Sequence, residues 1–178
     1  FLIVSIITIS LLSCNTYRKK TFLDFEFGMS YSEYIQHAKD LEKSGLIKNL
    51  NGRDFEYSIQ LPNNKIVYFN VRVNVFQMAR LTAFFLRLQE NLTEEDNRQL
   101  YYLLQSKHGF PTQKFEKNDN YWNAVWDQGN SEIKLKLLDY YETLNFGEII
   151  YWANGSLYDN ILEIDKKENG IIDVDNKY

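Results

Sequence analysis

The single thiol, Cys14, and the two imidazoles, His37 and His108, are the side chains of this sequence best suited to chemistry at neutral pH, and no two of them lie close in the chain. A metal site needs three or four ligands at set spacing, and the chain has neither a His-Glu-x-x-His stretch nor a pair of cysteines. It also lacks the G-x-S-x-G and S-x-x-K patterns of activated serines, and the glycine loops that cradle phosphate. His108, followed by Gly109 and Pro111, reads as a last-turn helix residue that complements the helix dipole. Carboxylates are plentiful, but a glycosidase pair must sit about 5–9.5 Å apart, and no local motif brings two together. The stretch from Asp165 to Asn176 comes nearest to a calcium loop, with Asn169, Gly170, Ile172 and Asp173 at acceptable positions. Lys167 stands where an oxygen ligand is needed and Asn176 where a bidentate Glu belongs, so the stretch reads as a polar tail. The expectation is a protein with no catalytic residues, no metal and no cofactor, which is not an enzyme and works by binding.

Aromatic side chains carry the binding chemistry. They make up 16% of the chain, and a dense group, Tyr121, Trp122, Trp126, Tyr140, Tyr141, Tyr151 and Trp152, falls in its second half. Trp and Tyr join a large apolar area to a polar tip, which makes them frequent interface anchors. Side chains alternate between faces along a strand, so Trp122 and Trp126 share a face while Tyr151 and Trp152 point opposite ways. One set fills a core and the other is free to meet a partner. Trp122, Trp126, Tyr151 and Trp152 are the candidate interaction residues.

The first thirteen residues carry no charge and are apolar apart from Ser5, Thr8, Ser10 and Ser13. A spanning helix needs about 20 apolar residues, whereas about 7–15 make the apolar region of a secretory signal peptide. No Met precedes Phe1, and the basic part of such a peptide is expected upstream. Leu11-Leu12-Ser13-Cys14 resembles the lipobox of bacterial lipoproteins, with Leu three residues before the cysteine and a small residue just before it. The resemblance implies a signal peptide over 1–13, cleavage after Ser13, acylation of Cys14 and a membrane anchor made of lipid. Asn15 is not the acid associated with inner-membrane retention in some enteric bacteria, which favours the outer membrane. Several acyl chains anchor stably because each buried CH₂ contributes about 0.8 kcal/mol. Residues 14–24, with Arg18, Lys19 and Lys20, read as a lipidated cysteine and a polar tether. A lone cysteine leaves no disulfide framework, so the domain must be held by its own core. The mild, mixed charge of −4 gives no electrostatic case for a nucleic-acid partner.

The elements that would position the aromatics follow a doubled pattern. Ser30, three residues before Glu33, is a capping box, and Tyr34, Ile35, Ala38 and Leu41 then share a helical face that ends before Gly45. Thr93 precedes three acids, and Leu100, Tyr101, Leu103 and Leu104 form a stripe that ends before Gly109 and Pro111. After the first helix, alternation marks strands at 55–61, 67–75 and 81–88. After the second, strands are expected at 113–117, 121–126, 132–140 and 147–153. Residues 154–164 carry no decisive pattern, and 165–178 read as a flexible polar tail.

The fold class expected is α+β: two helix-plus-antiparallel-strands units, αβββ-αβββ, at about 25–90 and 91–164, with both helices on one face of a curved antiparallel sheet. Gly28-Met29-Ser30-x-x-Glu33 resembles the opening of the first helix in the SmpA/OmlA-type (BamE-like) lipoproteins, and the doubled unit is similar to the tandem repeat of β-lactamase-inhibitor-like proteins. The resemblance covers roughly 25–153 by pattern, and this chain carries two units where the BamE-like proteins carry one, so no individual binding residue is transferred. Together these features describe an envelope lipoprotein that docks another envelope protein through its sheet. The alternative is a glycan or small-ligand receptor built on the second-unit aromatics.

Overall fold

The computed structural model describes residues 19–75, 80–118, 121–129, 131–138 and 147–169. The expected signal peptide, Cys14 and the segment after 169 lie outside the described residues. In chain order the elements are β1 (Lys19–Lys20), a 3₁₀ turn (Phe22–Asp24), β2 (Glu26–Phe27), α1 (Tyr31–Lys43), β3 (Ile47–Asn51), β4 (Asp54–Gln60), β5 (Ile66–Val75) and β6 (Leu81–Leu88). Then come α2 (Glu94–His108), β7 (Gln113–Asn118), β8 (Tyr121–Asp127), β9 (Ser131–Leu138), β10 (Glu148–Ala153) and α3 (Gly155–Asn169).

Local chemistry explains where the long helices begin. The Glu33 amide donates to Ser30 Oγ at 3.3 Å, and the Ser30 amide donates back to the Glu33 carboxylate at 2.8 Å. Thr93 and Asp96 form the same reciprocal cap on α2. Gly45 (φ 79°) and Gly109 (φ 81°) stand just past the helix ends in a backbone region that costs other residues energy.

Eight strands form one antiparallel sheet in the order β3-β4-β5-β6-β10-β9-β8-β7. α1 and α2 are each followed by four strands, and the fourth strands, β6 and β10, pair at the centre with Phe85 opposite Ile150. One face of the sheet is apolar: Phe55, Phe69, Phe84, Leu86, Leu135, Ile149 and Tyr151 are buried there with Tyr34 and Ala38 of α1 and Leu100, Tyr101 and Leu104 of α2. α1 and α2 therefore cover this inner face.

Three expectations are corrected. The first unit has a fourth strand, β3, where three were expected; it is short, and its ladder is broken between Lys48 and Asn51, with Asn49 at φ 53°. The tether expected over 14–24 ends earlier, because β1 pairs with β2, and Phe22, Phe25 and Phe27 enter the core. Phe22 meets Tyr57 edge-on at 5.0 Å and Phe25 stacks on Tyr34 at 5.2 Å. The segment is a strap across the inner face. Finally, residues 165–169 belong to α3 rather than to a polar tail: Leu157, Ile161 and Asp165, on one helical stripe, are all buried.

A polar clamp joins the two halves. Asp96 accepts from Thr93 Oγ1 at 2.7 Å, Asn63 Nδ2 at 2.9 Å and Lys65 Nζ at 2.9 Å, tying the β4–β5 turn to the start of α2. Burial alone would raise the Asp96 carboxyl; the hydrogen bonds outweigh it and hold it near about 2, below its ordinary 3.8. A depressed folded value gives stability that is present above about pH 4 and lost as pH falls toward about 2. The Asp96 carboxylate should thus contribute about 2 kcal/mol at neutral pH. Urea melts of the wild type and Asp96→Asn should differ by roughly that amount at pH 6 and converge near pH 2; a gap that does not change with pH would refute the assignment.

Candidate functional site

The other face of the sheet is the site. Two rows of side chains run across it. In one, the register places Asp54, Arg72, Phe85, Ile150, Lys134, Val125 and Gln113 side by side on successive strands from β4 to β7. In the next, Glu56, Asn70, Arg87, Glu148 and Lys136 follow in the same way. Alternation is the cause: every second residue of β4, β5, β9 and β10 feeds the core, so the intervening ones must face out. The centre of the first row is apolar, with Ile150 buried and Phe85 half-buried, and charges of both signs surround it. Over the β3–β6 half and Glu148 lies an open hollow of about 670 Å³, bordered by Asn49, Asn51, Asp54, Arg72, Arg87 and Glu148.

Trp152 sits two residues from Ile150 on β10, on this outer face, and is 40% exposed. Its setting is built. Lys134 Nζ lies 4.5 Å from the ring centroid and 3.0 Å from Glu132 Oε2, while Asn154 Nδ2 donates to Glu132 Oε1 at 2.9 Å. The ammonium is thus held over the indole face, where the ring quadrupole attracts it.

The structure separates the candidate aromatics. Trp126 is 1% exposed; its Nε1 donates to the Gly109 carbonyl at 2.8 Å and its ring meets Tyr101 at 6.0 Å. Tyr151 is 5% exposed, beneath Phe22 at 5.3 Å. Both are core residues, because α2 and the strap cover their face, and neither is available as an exposed anchor. Trp122 takes its place in β8 opposite Leu137, and its side chain lies outside the described residues. Of the three candidates whose side chains are described, Trp152 is the exposed one. Sequence reasoning missed Phe85, Ile150, Arg72 and Arg87 as its companions; the polar alternation through Asn70 and Arg72 was the available signal.

Of the two imidazoles, His37 is paired, whereas His108 Nε2 is buried with no hydrogen-bond partner among the described residues. His37 Nε2 lies 2.9 Å from the Leu23 carbonyl, and its ring meets Phe25 at 4.5 Å. Burial, and then Lys107, hold His108 down to about 4, so it is neutral at physiological pH and, contrary to the expectation from sequence, brings no positive charge to the C-terminal end of the α2 dipole. Among the described residues no group of three His, Cys, Asp or Glu is placed to hold a metal ion, and no helix is long and apolar enough to cross a membrane. No protein-family model, no curated protein and no solved structure matches the chain.

Proposed function

We propose that this chain is a lipid-anchored protein of the bacterial envelope, built of two matching helix-plus-strands units and tethered through Cys14, that docks another envelope protein on the outer face of its sheet. The observation that carries the docking surface is the layout of that face: an apolar centre of Phe85, Ile150 and Trp152 within a ring of Arg72, Arg87, Lys134, Asp54, Glu56 and Glu148. Protein interfaces have this anatomy, a small apolar core with aromatic and Arg anchors inside a polar rim. The mixed signs favour a protein partner over a polyanion. The anchor rests on Leu11-Leu12-Ser13-Cys14. A glycan platform built on the second-half strand aromatics would lose Trp126 and Tyr151, which are buried, and keep Trp152.

Two measurements test the reading separately. Labelled palmitate should enter the wild type and not Cys14→Ser; equal labelling removes the anchor. A photocrosslinking residue at Arg72 should capture a defined envelope protein in living cells, and the adduct should be lost with Trp152→Ala. The same residue placed at Lys39 on α1 should capture nothing. Identical adducts from both positions, or an adduct indifferent to Trp152, would sink the docking face.

A further inference from the structure

On the opposite side of the sheet, between the strap and α2, lies a second cavity of about 420 Å³. Phe22, Leu103 and Leu104 form its apolar walls, and Tyr57 of β4 and Tyr151 of β10 border it. Among the described residues Lys107 is the one charged residue that lines it, and no carboxylate does. Neither phenol has a hydrogen-bond partner among the described residues. The Tyr151 ring is nine-tenths buried, and its hydroxyl is not among the fully enclosed unpaired polar atoms, which leaves it open to the cavity it borders. Burial pushes both phenols above their ordinary values, and for Tyr151 the neighbouring Tyr57 adds to it, so both stay protonated donors. An apolar pocket in which a few donors converge is the usual form of a small-molecule site. At about 30 Å³ for each water-sized atom, the space suits a ligand of roughly 14 heavy atoms.

The geometry points to a binding site for a small amphiphile with one anionic head, of which a medium-chain carboxylate is the simplest. The chain would lie along Phe22, Leu103 and Leu104, and the carboxylate would accept hydrogen bonds from Lys107 and the phenols. Ligand and outer-face partner use opposite sides of the sheet, so this site stands or falls independently of the docking surface.

Calorimetric titration of the full chain with dodecanoate and with dodecyltrimethylammonium tests it, both below their micelle concentrations. Dodecanoate should bind one-to-one and roughly tenfold or more tighter than the cation. Lys107→Glu, at an exposed position, and Tyr151→Phe, which keeps the ring in the core, should each weaken dodecanoate roughly tenfold. Circular dichroism would establish that both variants are folded. No binding to the folded wild type, equal affinity for anion and cation, or dodecanoate affinity unchanged in either variant would overturn the assignment.

Discussion

Trp126→Ala should lower stability by about 3–5 kcal/mol, the range for truncating a large buried aromatic, whereas Trp152→Ala should shift it by no more than about 1 kcal/mol. The two residues look equivalent in sequence, each a Trp in an apolar strand of the second half. Their surroundings differ. Removing Trp126 opens a void beside Tyr101 and leaves the Gly109 carbonyl without its indole donor at the point where α2 ends. For a chain of this length the melting temperature should fall by roughly 10 °C. Removing Trp152 uncovers part of a face that is already open. Urea denaturation of both variants gives the comparison directly; losses of similar size would mean that the assignment of inner and outer faces is wrong.

Arg80→Met should cost about 3–5 kcal/mol, because breaking a buried ion pair leaves one charge in the interior. Arg80 precedes β6, and its Nη1 donates to the Gly28 carbonyl at 2.9 Å. Its Nε lies 3.9 Å from Asp165 Oδ1, and the two side chains are 9% and 1% exposed. The guanidinium therefore joins three pieces of chain: the turn before α1, the start of β6 and the last third of α3. Replacing both partners, as Arg80→Met with Asp165→Leu, should recover most of the loss, since a matched apolar pair is often neutral or better. Hydrogen exchange should show α3 amides opening first in the single variant. A double variant no more stable than the single one would show that the pair itself is not what holds α3.

Much of this architecture was legible because its causes are local. The caps at Ser30 and Thr93, the glycines that follow both helices and the alternation in β4, β5, β9 and β10 act within a few residues of where they appear. Alternation also placed Tyr151 and Trp152 on opposite faces correctly, but it could not say which face α2 would cover. What was hidden depends on distant partners. β3 looked like loop because Asn49 departs from extended backbone, and its ladder is completed only by β4. The start of the strap looked like a tether because its basic residues precede a single phenylalanine, Phe22, whose surroundings are assembled from distant strands. Asp165 broke the apolar stripe of α3 and read as solvated tail, since the arginine that explains it lies far upstream.

The strap has a consequence for how the protein finds anything. Lys19 Nζ donates to the Gln128 carbonyl at 2.8 Å, so the ordered chain is already fastened to the β8–β9 turn five residues after Cys14. Five residues reach at most about 18 Å, while a domain of this size has a radius of gyration of roughly 15 Å. With the proposed lipid on Cys14, the leash would be shorter than the domain's width, which is at least twice that radius, about 30 Å. Under that proposal the domain would stay within its own width of the leaflet, and its search for the proposed partner would be two-dimensional. Occupancy would then be set by local surface concentration as much as by intrinsic affinity, so a modest interface can suffice at the membrane and give little sign of itself in dilute solution.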